Sequence, residues 1–180
     1  RDFAIMLAAF NQLGYSVEWR VINAADYGRA QRRRRVFFFV FRNDTKWGKR
    51  LYTKYEATLP TDADLDTRLA CYTPYIFKDG LFARQFPVKG EAVKKRINAN
   101  KLDDDIAEVS ANFSDGKMWN SGLMTNGYYY TIETEPKGDE EPIPMKEIVV
   151  SPNQVPKEYY IDGEKLEKFK YLRGPKKITR

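Results

Sequence analysis

The chain has 180 residues, of which 42% are hydrophobic and 14% aromatic, and it carries 31 Lys or Arg against 25 Asp or Glu. No apolar stretch approaches the ~20 residues of a membrane-spanning helix, so we expect a soluble, cytoplasmic protein. A single cysteine and no histidine exclude an internal disulfide framework and disfavour zinc clusters and serine-histidine triads, which leaves arginine, carboxylate, amide, hydroxyl and backbone groups for any chemistry.

The beginning of the chain predicts a helix followed by two strands. Apolar residues recur at helical spacing over residues 2–13, and Gly14 ends that pattern. Residues 16–22 predict a strand, Gly28 allows the following loop to turn, and residues 35–41 predict a second strand. This order is typical of the end of an α/β sheet, so we expect the chain to be cut from a longer protein at both ends.

After Arg50 the pattern changes to short runs separated by Pro, Gly, Thr and Tyr. Two apolar runs, at 72–77 and 81–83, flank a predicted Lys-Asp-Gly turn. Helical turns are predicted at 91–98 and a short helix at 103–109. Strands are predicted at 117–119 and 127–132 with a loop at 120–126 between them, followed by an exposed loop at 134–144 and a last helix at 164–171. We place a domain boundary near residue 48, with residues 1–48 in a first domain and residues 49–180 in a second.

Positive charge is concentrated in residues 1–50, which contain eleven Lys or Arg and four Asp or Glu. The remaining residues are close to neutral, with twenty basic and twenty-one acidic side chains. A focused basic patch favours a polyanionic partner such as nucleic acid. A solvated basic face is the alternative interpretation of an arginine run, and the residues that flank this run favour the first interpretation.

The arginines follow a turn and precede a strand. An Asn-Ala-Ala-Asp-Tyr-Gly turn at residues 23–28 is followed by Gln-Arg-Arg-Arg-Arg at residues 31–35 and then at once by the apolar strand. Over residues 3–42 this order resembles the DNA (cytosine-5)-methyltransferases, whose eighth conserved motif contains Gln-x-Arg-x-Arg. Two later stretches, residues 119–127 and 171–177, are similar to the target-recognition region of bacterial members. The resemblance implies the edge of a Rossmann-like methyltransferase sheet followed by a smaller β-rich target-recognition domain.

The resemblance also implies roles for single residues. Arg35 matches the arginine that hydrogen-bonds the flipped cytosine, Arg33 matches the one that supports the catalytic pocket, and Gln31 matches the loop glutamine. A guanidinium suits the site because attack on cytosine C6 builds negative charge on the ring, which arginine stabilises without losing its own proton. Ala30 departs from the family, which usually has proline there. The remaining candidate DNA contacts are Arg29, Arg32, Asn120, Ser121, Thr125 and Asn126.

Other motifs of the family are absent from these 180 residues. The aromatic-x-Gly-x-Gly cofactor loop, the Pro-Cys dipeptide that contains the nucleophile and the Glu-Asn-Val segment have no match. Alanine precedes Cys71, so we interpret this thiol as structural. We therefore expect a piece of a DNA (cytosine-5)-methyltransferase of a restriction-modification system. S-adenosylmethionine would bind outside the chain, double-stranded DNA would be the partner, and the piece alone would be inactive.

A second class of function stays open. In a non-catalytic nucleic-acid-binding module, Arg29 and residues 32–35 would only neutralise phosphates, and lysine would serve as well as arginine.

A further expectation concerns the isolated chain. Its apolar strand would be left with an unpaired edge and exposed apolar surface, so we expect self-association through residues 1–42.

Overall fold

The computed structural model describes residues 1–90, 96–103, 105–112 and 118–172. By its internal contacts the chain divides into two units, Arg1–Pro142 and Ile143–Arg180. The strands of the first unit are β1 (Tyr15–Asn23), β2 (Arg34–Arg42), β3 (Ile97–Lys101), β4 (Ser121–Thr125) and β5 (Tyr128–Ile132). Its α-helices are α1 (Asp2–Gln12), α2 (Lys46–Lys54), α3 (Leu65–Pro74), α4 (Leu81–Gln85) and α5 (Ile106–Asn112). Among the described residues, five strands form an antiparallel sheet in the order β2-β1-β4-β5-β3, and the predicted α/β class is confirmed.

The first half of the sheet agrees closely with the sequence prediction. α1 is followed by Gly14, whose φ of 75° is a left-handed conformation that glycine adopts without strain. β1 and β2 then pair in antiparallel register along all nine of their residues. The predicted helix at 2–13 and the predicted strands at 16–22 and 35–41 are therefore confirmed.

Most of the predicted loop at 120–126 is instead the strand β4, which lies between β1 and β5. The turn to β5 consists of Asn126 and Gly127, and both have positive φ, 48° and 77°, as a two-residue type I′ hairpin requires. Gly122 lies against the ring of Trp19, where an added Cβ would be 2.1 Å from Trp19 Cζ2. Because only glycine fits there, the small residues that favoured a loop are instead what allows β4 to pack beside β1.

The elements before β4 agree less well with the sequence prediction. Residues 97–98 belong to β3, which pairs with β5, so the helical turns predicted there are wrong; residues 91–95 lie outside the described residues. The short helix predicted at 103–109 is present as α5. The strand predicted at 117–119 is wrong for residues 118–119, which are irregular, and residue 117 lies outside the described residues.

One face of the sheet is covered by α2, α3 and α4, with a largely aromatic core. The apolar runs predicted around a turn at 72–77 and 81–83 are helical, since the π-helix Tyr75–Asp79 joins α3 to α4. The physical reason is spacing: Arg68, Tyr72 and Ile76 recur every four residues, so a helix buries all three on one side. The buried tyrosines stack on one another, with the rings of Tyr72 and Tyr130 4.6 Å apart.

The opposite face is covered by α1, and α5 packs against α1. Leu7 of α1 packs with Trp19 and Met124 of the sheet, and the ring of Phe3 meets that of Trp19 edge-on at 5.1 Å. Val109 of α5 packs against the small alanines of α1. Because β1, β4 and β5 alternate their side chains between two covered faces, most of their residues are buried and they show little polar alternation. Much of the outer strand β2 is exposed.

The sheet joins residues from both of the domains predicted from the sequence. β1 and β2 come from residues 1–48 and the other three strands from residues 49–180, and β4 pairs directly with β1. Residues 49–142 therefore complete their sheet with strand β1, and the contacts within the chain group them with residues 1–48. A division of the parent protein near residue 48 stays a prediction.

The second unit, Ile143–Arg180, contains short 3-10 helices and one longer helix among its described residues. The short helices are Met145–Glu147, Pro152–Gln154 and Lys157–Tyr159, and the longer one is α6 (Gly163–Leu172). α6 confirms the predicted last helix. The loop predicted to be exposed at 134–144 is largely exposed from residue 135 onward, whereas Thr134 is buried. Residues 173–180 lie outside the described residues. None of the described helices is long and apolar enough to cross a bilayer.

Candidate nucleic-acid interface

The loop between β1 and β2 is held by its own Asn-Ala-Ala-Asp-Tyr-Gly sequence. The Asn23 side chain donates to Asp26 Oδ1 at 2.9 Å and accepts from the Ala25 amide, which starts a short 3-10 helix. Gly28 ends that helix with a φ of 73°, and an added Cβ would lie 3.0 Å from the Glu140 Cβ. Both the backbone angle and the space thus require glycine at the point where the chain turns into the arginine run.

Alternate residues of the arginine run share one cavity of about 340 Å³, which we call the arginine pocket. Its polar walls include the predicted site residues Arg29, Gln31, Arg33 and Arg35. Arg34 instead lines a separate cavity of about 290 Å³, because successive side chains of a strand point to opposite faces. Arg32 is exposed and is not among the residues that line the arginine pocket.

Aromatic and apolar side chains form the remaining wall of the arginine pocket. The rings of Tyr27 and Phe86 meet edge to face, with centroids 5.2 Å apart, and Phe37 and Ile22 lie on the strands beneath. Glu140 adds one carboxylate to the three arginines of the lining. An aromatic and apolar wall beside several guanidinium groups suits a planar ligand with electronegative edges, such as a nucleobase.

A buried carboxylate and guanidinium lie two residues apart on β1, behind this aromatic wall. Glu18 and Arg20 are each only 2% exposed. The Glu18 carboxylate accepts the amides of Leu81 and Phe82, both at 2.9 Å, and the hydroxyl of Tyr75 at 3.1 Å. It therefore satisfies the free amides at the start of α4.

Arg20 holds the other end of α4. Its Nη1 donates to the carbonyl oxygens of Phe86 at 2.8 Å and Phe82 at 3.3 Å, and its Nη2 donates to that of Ile76 at 2.6 Å. Burial raises the pKa of Glu18, while two amide hydrogen bonds and Arg20 oppose that shift. Burial likewise lowers the pKa of Arg20, and Glu18 opposes it. The sequence alternation of β1 does not reveal this pair, because its partners are backbone atoms of α4 and the π-helix.

Three of the four candidate base-reading residues after residue 49 form hydrogen bonds inside the protein. Asn120 pairs with the backbone of Thr134 through both its amide oxygen and its amide nitrogen, each at 2.8 Å. The Ser121 hydroxyl lies 2.6 Å from that of Thr134, and Thr125 accepts from Ser16 at 2.8 Å. Both hydroxyls are buried, whereas Asn126 is exposed at the hairpin turn.

These candidates also lie at different ends of β1. Arg35 pairs with Ile22 and Met124 pairs with Val17, so the two positions are five residues, or about 16 Å, apart along the strand. Asn120 lies at the end near the arginine pocket, since its carbonyl accepts from the Val21 amide at 2.7 Å. Asn126 follows β4 at the opposite end.

Cys71 lies in α3, outside the lining of the arginine pocket. Its thiol is 3.5 Å from the Tyr55 carbonyl and 3.9 Å from the Thr58 hydroxyl. It is half-buried among helical contacts and forms no part of the arginine run.

Comparison with known proteins places this geometry in context. The sequence model for the C-5 cytosine-specific DNA methylases matches residues 1–173. The chain is 44% identical over its full 180 residues to Type II methyltransferase M.Sau3AI of Staphylococcus aureus, of which the match covers 39%. Over 67 residues, 37% of the chain, it is 36% identical to Type II methyltransferase M.MthTI of Methanothermobacter thermautotrophicus, of which 18% is covered. The chain thus spans less than two fifths of the length of these curated relatives. No solved structure gives a significant match.

Proposed function

Because the chain belongs to the C-5 cytosine-specific DNA methylase family, we propose that its parent protein transfers a methyl group from S-adenosylmethionine to C5 of a flipped cytosine in double-stranded DNA. In this proposal the chain supplies the arginines that grip the cytosine and part of the surface that recognises the DNA sequence. β1 and β2 belong to the margin of the catalytic sheet, and residues 49–180 contribute to target recognition. Like its named relatives, the parent would act as a type II methyltransferase of a restriction-modification system.

The convergence of Arg29, Gln31, Arg33 and Arg35 on one cavity supports this function best. The volume of about 340 Å³ lies within the range of about 300–1,000 Å³ typical of small-ligand pockets. Its aromatic wall would offset part of the stacking lost when a base leaves the duplex, a cost of a few kcal/mol. Arg35 would bind the cytosine, with Arg33 beside it supporting the pocket.

Each arginine has a defined task in this proposal. When cytosine C6 is attacked, negative charge develops on the ring, and the Arg35 guanidinium would stabilise it without changing its own protonation. Arg29 and Arg32 would neutralise phosphates at the mouth of the pocket. Gln31 would donate its amide to the DNA from the pocket rim.

The cofactor and the nucleophile belong to other parts of the parent protein in this proposal. The chain has no aromatic-x-Gly-x-Gly loop, no Pro-Cys and no Glu-Asn-Val. S-adenosylmethionine would supply the methyl group there, and the present residues would orient the base and balance its charge. Sequence recognition would use Asn126 at its exposed turn, together with Asn120, Ser121 and Thr125 where their internal hydrogen bonds exchange for DNA contacts.

The experiment uses the complete parent enzyme and mass spectrometry of nucleosides after incubation with DNA and S-adenosylmethionine. We expect 5-methylcytosine from the unsubstituted enzyme and none from the double variant Arg33→Ala/Arg35→Ala. The charge-matched control Arg34→Ala/Arg42→Ala removes two arginines outside the pocket and should still methylate. A non-catalytic binding module would give no methylcytosine with any of the three proteins.

A further inference from the structure

We infer that Arg20, which binds one end of α4 while Glu18 binds the other, is a positioning residue that sets the aromatic wall of the arginine pocket. The inference rests on the proposed function, since it concerns how the pocket of that reaction is shaped. Neither residue lies in the Gln-x-Arg-x-Arg motif, and neither lines the arginine pocket. Their influence on the reaction would pass through the backbone of α4 and the residue that follows it.

The connection runs through a single carbonyl group. Arg20 Nη1 donates to the Phe86 carbonyl at 2.8 Å, and the Tyr27 hydroxyl donates to the same oxygen at 3.4 Å. Tyr27 and Phe86 are the two aromatic residues whose rings meet edge to face in the pocket wall. The Phe86 carbonyl is therefore the point at which the buried guanidinium fixes both rings.

The geometry of the buried pair favours positioning over simple stabilisation. Two charged groups buried near each other add little net stability, because the cost of desolvating both charges offsets their attraction. What the guanidinium provides is direction, since its planar fork reaches three carbonyl oxygens that belong to α4, its following residue and the π-helix. Glu18 binds the opposite end of α4, so the helix is held at both ends against β1.

A shift of this helix would move the pocket wall relative to Arg33 and Arg35. Arg35 lies on β2, which is fixed in register to β1, and Arg33 immediately precedes that strand, so the wall would move and the guanidinium groups would stay. A displacement on the order of 1 Å in a reacting site can lower a rate on the order of a hundredfold. The phosphate contacts on exposed arginines would be unaffected, so the loss would appear in kcat and not in DNA affinity.

The test compares Arg20→Lys with Arg68→Lys in the complete parent enzyme. Arg68 is the matched control because it is also buried, with 7% exposure, and donates to Glu56 at 3.0 Å and to the Ala63 carbonyl at 3.3 Å without lining the pocket. We expect both variants to melt at lower temperature by circular dichroism. At a temperature where both are folded, Arg20→Lys should lower kcat about tenfold or more with little change in DNA affinity, and Arg68→Lys should not lower kcat.

A second variant keeps the inference testable if Arg20→Lys does not fold. Tyr27→Phe removes only the hydroxyl that meets the Phe86 carbonyl, and it should lower kcat and alter the fluorescence of 2-aminopurine placed at the target base. Parental kcat in folded Arg20→Lys, or parental kcat and fluorescence in Tyr27→Phe where Arg20→Lys is unfolded, would overturn the positioning role. Failure of the unsubstituted enzyme to transfer methyl groups would instead overturn the proposed function.

Discussion

In the complete parent enzyme, we expect Arg35→Lys to slow methyl transfer by about 10²–10³-fold while leaving DNA binding nearly unchanged. The substitution keeps one positive charge at the same strand position. It removes the planar fork, which can donate to the base from more than one nitrogen in a fixed plane. Charge and geometry are thereby separated at a single residue.

The size of the effect follows from the hydrogen bonds of Arg35. Its guanidinium has five N–H donors, and one of them is used by the Arg34 carbonyl, which Nη1 meets at 2.7 Å. Among the described residues no other acceptor meets this guanidinium, so its remaining donors would serve a cytosine. Lysine carries its three donors on one nitrogen, and the pairing of residue 35 with Ile22 prevents the backbone from moving to compensate. Loss of one well-placed donor to a developing negative charge raises the activation free energy by about 2.7–4 kcal/mol, which corresponds to the expected 10²–10³-fold loss in rate.

The assay is single-turnover methylation of a duplex oligonucleotide with saturating S-adenosylmethionine, beside DNA affinity measured by fluorescence anisotropy at several salt concentrations. The slope of affinity against salt should match that of the parent, because the number of neutralised phosphates is unchanged. Arg34→Lys is the control, since it changes the neighbouring residue on the other face of β2. A parental rate for Arg35→Lys would refute the assignment of Arg35 to the cytosine.

Three further outcomes are expected. Gly122→Ala should lower the unfolding free energy by about 1–3 kcal/mol, because the added Cβ would overlap the ring of Trp19. Urea denaturation followed by tryptophan fluorescence measures this change. An unchanged urea midpoint would contradict the contact between Gly122 and Trp19. The chain alone should give no stoichiometric heat with S-adenosylmethionine in calorimetry, and a one-to-one site would show that its cofactor site is complete. The chain alone should also associate through residues 1–42, and Val36→Lys, on the exposed outer strand, should shift light scattering toward the monomer; a monomeric parent chain would speak against this surface.

The sequence predicts the elements whose pattern is local. The apolar spacing of α1, its ending at Gly14 and the apolar run of β2 each depend on neighbours within a few residues, and these elements are where the patterns predict them. The grouping of the pocket arginines was accessible in the same way. Arg33 and Arg35 share a face and Arg34 does not because a strand alternates its side chains, which follows from the order of residues alone.

The elements that the sequence mispredicts depend on distant partners. β4 has small residues typical of a loop, yet it is a strand because the ring of Trp19, about a hundred residues earlier, lies over Gly122. The run at 72–77 contains β-favouring tyrosines and a proline, but burial of every fourth residue against the sheet makes it helical. Glu18 and Arg20 look like the polar side of a half-exposed strand, and only the carbonyls and amides of α4 explain why they are buried.

In the proposed function, the position of the arginine pocket along β1 limits which residues could read DNA next to the flipped base. Asn126 lies at the far end of the strand, and the positions of β1 opposite Met124 and Arg35 are separated by about 16 Å. A side chain at that turn can contact DNA only well away from the target base, because no side chain spans such a distance. In the proposed function, recognition of the immediate neighbours of the cytosine would therefore fall to groups at the pocket end, where Asn120 and the exposed Arg32 lie. Since Asn120 already bonds the Thr134 backbone through both its amide atoms, it would orient the surface there and would read a base only where those two bonds exchange for DNA contacts.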